Sequence, residues 1–87
     1  MIVKGFQIIN EHGLHARPAS LFCDTASKFK SDVRVFRDDR EADGKSVISI
    51  LILEVYPGAH IKVEIEGSDE SEAMLAITEL IECNFNE

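Results

Sequence analysis

The stretch EHGLHARPAS, residues 11–20, contains the boundary between two kinds of secondary structure. Pro18 has no backbone N–H, so it fits only the first turn of a helix, which must begin near His15 or Ala16. Beyond it, apolar residues recur at intervals of three and four, as on the buried side of an amphipathic helix. These residues are Ala19, Phe22, Cys23, Ala26 and Phe29. The pattern predicts a helix over roughly residues 16–29.

The rest of the chain predicts several strands and a final helix. VKGFQII (3–9) has the composition of a strand, DVRVFR (32–37) alternates, and a short strand is expected through Glu41 to Asp43 after the turn DDR. Residues 61–66 alternate most clearly, with Ile61, Val63 and Ile65 on one face. SDESEAMLAITELIE (68–82) begins with capping and acidic residues and carries an apolar stripe typical of a helix. The stripe consists of Ala73, Met74, Ile77, Leu80 and Ile81.

The run VISILIL (47–53) is ambiguous. Its β-branched residues favour a strand, whereas Ser46 just before it is a good helix N-cap. Propensity alone predicts a strand. The element order β-α-β-β-(α or β)-β-α predicts a sheet with helices packed on one face.

Length and composition restrict the class of protein. The 87 residues predict a single domain over residues 1–87, and a net charge of −7 argues against nucleic acid and for protein partners. The apolar runs are too short to span a membrane and the first residues do not form a signal peptide, so we expect a cytoplasmic protein without a membrane partner. Cys23 and Cys83 are predicted to be free, buried thiols, and no metal site is expected. The tail NFNE is expected to fray.

The predicted helix start has the chemistry of an anion site. The backbone N–H groups of Ala16 and Arg17 have no intrahelical acceptor, and the helix end carries partial positive charge. The His15 imidazole is a nucleophile beside this site, and the Arg17 guanidinium matches the geometry of phosphate oxygens. These residues suit the transfer of a phosphoryl group to and from a histidine nitrogen, although a histidine and an arginine at a helix start are often only a solvated end.

GLHARPAS resembles the phosphorylation site of the histidine-containing phosphocarrier (HPr) family of the bacterial phosphoenolpyruvate-dependent phosphotransferase system. The resemblance continues through DGKS (43–46) and GSDESEA (67–73). It implies an α+β fold, an open-faced β-sandwich in which three helices cover one face of a four-stranded antiparallel sheet, with VISILIL as a short helix. It also implies a phosphocarrier rather than an enzyme, without a cofactor. His15 would accept phosphate from Enzyme I as pros-phosphohistidine, with help from Arg17, and pass it to an EIIA-type acceptor.

Several residues depart from the sugar-transport members of this family. Asp24, Ser27 and Ser49 occupy positions where those members often carry basic residues, and SVISILILE (46–54) and NFNE look closer to the nitrogen-related branch, whose acceptor is a regulatory protein. His12, in the turn before the site, is either a turn residue or a second cation near the phosphate.

Ser46 and the residues after it have two interpretations each. Ser46 is a helix N-cap, and in some relatives the matching serine is phosphorylated by an ATP-dependent HPr kinase/phosphorylase. Val47, Ile48 and Leu51 either dock partners or belong to the core; the resemblance favours docking.

Two other functions compete with a phosphocarrier. In an enzyme, Cys23 would be the nucleophile and His15 its base, but Cys23 lies on the apolar stripe of its helix and should be buried. A binding module would use the same anion site to sense a phosphate ligand without covalent chemistry.

Overall fold

The fold is a four-stranded antiparallel sheet with three helices, seen in a computed structural model that describes residues 1–86. The strands are β1 (Ile2–Gln7), β2 (Asp32–Arg37), β3 (Arg40–Asp43) and β4 (His60–Glu66), in the spatial order β1-β4-β2-β3. The helices are α1 (Ala16–Ser27), α2 (Val47–Ile52) and α3 (Glu70–Glu82), and a 3₁₀ turn follows at Asn84–Asn86. The expected open-faced α+β architecture is confirmed.

The central strand β4 explains why the sheet has one buried face. Val63 lies opposite Lys4 of β1 and Val35 of β2, and Ile61, Val63 and Ile65 are all at most 3% exposed. Lys62 alternates with them and is exposed on the other face, where its ammonium group lies 4.7 Å from the centre of the Phe36 ring. The period of two along β4 therefore separates the core from the solvent face of the sheet.

The apolar stripes of α1 and α3 cover this sheet as the sequence predicts. Phe22 and Ala26 of α1 and Ala73 and Ile77 of α3 have no measurable exposure, while Leu80 is only partly buried. Burial of a side chain as large as Phe22 contributes about 1.5–3 kcal/mol, so helix packing supplies much of the stability of the fold.

Residues 47–52 form the helix α2, so the propensity-based prediction of a strand is wrong and the implication of the family resemblance is confirmed. Ser46 caps the helix, since its Oγ accepts the Ser49 N–H at 3.3 Å. Ile50 and Leu53, on the inner side, are at most 2% exposed. The cap and the burial of these side chains outweigh the preference of β-branched residues for strands.

The segment expected to fray, NFNE, contains a turn. Asn84–Asn86 form this turn with positive φ angles, and Phe85 is 1% exposed within the core. Glu87 lies outside the described residues. Cys83, expected to be buried, is exposed because it follows α3 on the side away from the core.

The start of α3 is tied to the loop after α1. The Asp69 carboxylate accepts the Lys30 N–H at 2.8 Å and the Ser31 N–H at 3.0 Å, and it also accepts a hydrogen bond from the Ser31 hydroxyl. This contact joins segments 38 residues apart in the chain.

Residues 1–86 contain neither a membrane-spanning helix nor a cluster of metal-binding side chains. Their helices are too short and insufficiently apolar to cross a membrane. The same residues form no group of three or more side chains that could hold a metal ion.

Candidate functional site

The turn before α1 is held by two hydrogen bonds between its ends. The Gly13 N–H donates to the Asn10 oxygen at 3.0 Å, and the Asn10 side-chain amide donates to the Gly13 oxygen at 2.8 Å. The next residue, Leu14, donates its N–H to the Val55 oxygen at 3.0 Å and buries its side chain. The loop that presents His15 is therefore anchored to the core on both sides.

His15 is the N-cap of α1. Its backbone is extended, with φ −81° and ψ −169°, and its carbonyl accepts the Ala19 N–H at 2.9 Å. Pro18, at the third helical position, is buried and contributes no N–H. The N–H groups of Ala16 and Arg17, the first two helical residues, thus have no intrahelical acceptor and are oriented toward an anion at the helix start. The predicted helix start is confirmed.

Arg17 and His12 lie at the same side of the helix start. Both side chains are exposed, and both line a shallow pocket of about 430 Å³ together with Glu11 and Asn84. The centres of the His12 and His15 rings are 5.5 Å apart, with their planes at 86°. The His15 imidazole, the Arg17 guanidinium and two free backbone N–H groups thus all belong to the N-cap and the first turn of α1. This arrangement can accept a phosphoryl group and neutralise its charge.

Cys23 does not have the properties of a nucleophile. Its side chain is 3% exposed, and burial, followed by the charges of Asp24 and Asp43, raises the pKa of its thiol to about 11. The thiolate, the reactive form, is therefore scarce at neutral pH. The burial of Cys23 and its raised pKa argue against an enzyme in which Cys23 is the nucleophile and His15 its base.

The residues proposed for docking lie on α2, directly after the Ser46 cap. Ile48 is 70% exposed and Leu51 38% exposed, whereas Val47 is partly buried and packs against the core. Ile52, which was not among the predicted docking residues, is 67% exposed. We name Ile48, Leu51 and Ile52 the α2 apolar surface. In the helix that the family resemblance implies, the i, i+4 spacing of Ile48 and Ile52 places both side chains on a common face.

The residues that depart from sugar-transport members lie on the helices near this surface. Asp24 and Ser27 of α1 are exposed and Ser49 of α2 is partly buried. The exposed positions on α1 therefore present an acidic and a neutral side chain to a partner.

Comparison of the sequence with known proteins gives consistent matches over nearly the whole chain. A family model described as "PTS HPr component phosphorylation site" matches residues 2–83. A phosphocarrier protein HPr of Neisseria meningitidis serogroup A is 44% identical over 87 residues, covering 100% of this chain and 98% of the relative. A phosphocarrier protein HPr of Treponema pallidum is 34% identical, covering 100% of this chain and 99% of the relative.

Solved structures give the same result for the fold. The structure of HPr-C-His from Thermoanaerobacter tengcongensis superposes with a TM-score of 0.97 and is 45% identical, covering 100% of this chain and 98% of that one. The HPr of Bacillus anthracis has a TM-score of 0.86 and is 34% identical, covering 92% of this chain and 95% of that one. The backbone around His15 therefore belongs to a fold found repeatedly in phosphocarriers.

Proposed function

This chain belongs to the HPr family of phosphocarrier proteins of the phosphotransferase system, and we propose that His15 accepts its phosphoryl group from Enzyme I and delivers it to an EIIA-type acceptor in the cytoplasm. The observation that carries the proposal is the position of His15 at the start of α1, beside Arg17 and two N–H groups without intrahelical acceptors. A phosphocarrier needs a nucleophile that protein partners can reach, and this helix start lies at the surface rather than in a closed cleft.

Each transfer exchanges one bond to phosphorus for another. The His15 Nδ1 lone pair forms the new N–P bond as the bond between phosphorus and the donor group of Enzyme I breaks. The N–P bond on His15 then breaks as a nucleophile of the acceptor protein forms its own bond to phosphorus. The backbone N–H groups of Ala16 and Arg17 and the Arg17 guanidinium donate hydrogen bonds to the phosphoryl oxygens. These donors are oriented before the reaction, so little reorganisation is required during transfer.

Incubation with phosphoenolpyruvate and Enzyme I tests this proposal. The wild-type protein should gain one phosphate that is labile in acid and stable in base. His15→Ala should gain none while keeping its circular dichroism spectrum, and His60→Ala, which removes an exposed histidine at the start of β4, should be labelled normally. Full labelling of His15→Ala, or phosphate binding without covalent label as in a phosphate-sensing module, would refute the carrier mechanism at His15.

A narrower proposal concerns the acceptor, which we assign to the nitrogen-related regulatory class rather than to a sugar permease. It is supported by the net charge of −7 and by the exposed Asp24 and Ser27 on α1. A like charge facing an acidic acceptor lowers the association rate and disfavours that partner.

Ser46 is proposed as a regulatory phosphorylation site for an HPr kinase/phosphorylase. Its hydroxyl lies at the start of α2, directly before the α2 apolar surface. A phosphate there would add about −1.5 to −2 charge beside that surface and weaken docking of acidic partners. Incubation with ATP and the kinase should label the wild type and not Ser46→Ala, and the labelled protein should accept phosphate from Enzyme I more slowly. An unchanged rate would contradict the regulatory role.

Val47, Ile48 and Leu51 are proposed to dock Enzyme I and the acceptor. The exposure of Ile48 and Leu51 supports this role directly. Val47 contributes through its packing on the core, which orients the first turn of α2.

A further inference from the structure

The turn that precedes α1 carries an imidazole whose position relative to His15 is well defined. The His12 ring centre lies 5.5 Å from that of His15, and the two rings meet edge to face at 86°. The turn itself is fixed by the two hydrogen bonds between Asn10 and Gly13. The fold of this turn therefore places His12 beside His15. The His12 side chain is exposed to solvent.

At this separation His12 is close enough to contact a phosphoryl group on His15. The two rings meet edge to face and are not stacked. A phosphoryl group bound to Nδ1 projects outward from the ring edge, and its three oxygens enlarge the site toward its neighbours. His12 and Arg17 line one shallow pocket, His12 from the turn and Arg17 from α1. A ring N–H of His12 can therefore meet a phosphoryl oxygen after a side-chain rotation.

We propose that His12 is a second phosphoryl-binding residue, which donates a hydrogen bond to the phosphate on His15 and gains a proton more readily when that phosphate is present. The inference rests on the proposed function of His15. His12 forms no bond to phosphorus. The N–P bond still forms and breaks only at His15, and His12 contributes a donor that carries positive charge when protonated.

The charged groups around His12 favour this role on phosphorylation in particular. Three of the titratable side chains among the described residues are placed beside His12: His15 through its ring contact, and Glu11 and Arg17 through the pocket that they line with it. Glu11 carries a negative charge at neutral pH and Arg17 a positive charge. A phosphoryl group on His15 would add close to two negative charges beside His12. This added negative charge favours the protonated form of the His12 imidazole.

Nuclear magnetic resonance of the imidazole nitrogens tests the inference directly. His15 is phosphorylated with phosphoenolpyruvate and a catalytic amount of Enzyme I, and pyruvate is the leaving product. At a fixed pH near neutrality, the ratio of protonated to neutral His12 should rise about tenfold on phosphorylation, because an opposite charge within ~4–6 Å shifts such an equilibrium by at least that factor. His60, exposed at the start of β4, is the internal control and should change less than twofold.

Variants separate a donor at the phosphate from a turn residue. His12→Ala should lower the equilibrium constant for phosphoryl transfer from Enzyme I to His15 by about three- to tenfold, as expected from one lost hydrogen bond. His12→Asn keeps a donor that does not titrate and should restore part of this loss equally at pH 6 and pH 8. The advantage of wild type over His12→Ala should instead shrink from pH 6 to pH 8, because imidazole loses its proton in this range.

The results separate failure of this inference from failure of the proposed function. A His12 ratio that does not change while phosphate is present on His15, or equal equilibrium constants for wild type and His12→Ala at every pH, would overturn the role of His12 and leave the carrier mechanism intact. A protein that takes no phosphate on His15 from Enzyme I would overturn both.

Discussion

Gly13 lies directly against Val55, close enough that a Cβ atom on Gly13 would overlap the Val55 carbonyl oxygen. The same carbonyl accepts the Leu14 N–H at 3.0 Å, and Gly13 has φ +65°. The position thus requires glycine for two reasons, a left-handed backbone and the absence of a side chain. This close approach joins the loop before β4 to the turn that presents His12 and His15.

Replacement of this glycine should destabilise the protein and displace the site. Gly13→Ala should lower the free energy of unfolding by about 2–5 kcal/mol, because the left-handed conformation and the displacement of Val55 both have a cost. Gly58→Ala is the matched control, since Gly58 has φ +88° but open space around its missing Cβ; it should lose about 1–2 kcal/mol. Urea unfolding of the two variants measures the difference, and equal losses would contradict a steric role for Val55.

Asp69 should make stability depend on acidic pH. Its hydrogen bond from the Ser31 hydroxyl, and next that from the Lys30 N–H, lower the pKa of its carboxyl below the usual value. Because this pKa is lower in the folded than in the unfolded state, the stabilisation is present above about pH 4 and lost as the pH falls through the folded pKa. Asp69→Asn should therefore lower the urea midpoint at pH 7 and much less at pH 2. The control Asp39→Asn, in the exposed β2–β3 turn, should show no such pH dependence; an equal loss for Asp69→Asn at both pH values would exclude ionisation as the cause.

Arg17 should affect the rate of transfer more than the fold. Its side chain is exposed beside His15, and hydrogen bonds to a charged group contribute about 1.5–3 kcal/mol. Arg17→Ala should therefore slow phosphoryl transfer from Enzyme I by about ten- to a hundredfold, and Arg17→Lys should restore only part of the rate because an ammonium lacks the planar fork. Rapid-quench measurements with labelled Enzyme I give the rates. Equal rates for all three proteins would remove Arg17 from the mechanism.

The α2 apolar surface should contribute to partner binding and little to stability. Ile48→Ser should weaken binding of Enzyme I at least about fivefold, in line with the loss of a central apolar contact. Since Ile48 is 70% exposed, the substitution should change the free energy of unfolding of the protein by less than about 0.5 kcal/mol. Leu75→Ser is the control, because Leu75 is 62% exposed on α3, outside this surface. Titration calorimetry compares the affinities, and similar binding by both variants would argue against docking at α2.

Charge reversal on α1 should change the preference for acceptors. Asp24→Lys combined with Ser27→Lys should raise the rate of transfer to an acidic sugar-type EIIA, and the gain should shrink at 1 M salt, where the screening length is about 3 Å. The wild type should transfer faster to a nitrogen-related acceptor than to the sugar-type one. Transfer from labelled protein to both purified acceptors provides the measurement. A wild-type preference for the sugar-type acceptor, or no gain from the double substitution at low salt, would count against the regulatory assignment.

Local signals in the sequence were sufficient for most of the fold and for the position of the site. Pro18 can occupy only the first turn of a helix, so the start of α1 at Ala16 was predictable, and with it the place of His15 and Arg17 at a helix N-terminus. The alternation along β4 and the stripe of α1 required only the periods of strand and helix. The roles of His15 and Arg17 in phosphoryl transfer stay predictions that rest on the family and on this geometry.

Tertiary structure decided three features that local sequence signals left open or predicted wrongly. Residues 47–52 have strand propensity, yet they form a helix because burial of Ile50 and Leu53 and the Ser46 cap outweigh a preference of less than about 1 kcal/mol per residue. Phe85 is buried because the turn after α3 returns the chain to the core, which no neighbouring residue signals. The same holds for the 5.5 Å between His12 and His15, which follows from a turn held against Val55, a residue more than forty positions away in the chain. Contacts of this kind depend on which segments the packed fold brings together, and propensity and spacing within one segment carry no information about them.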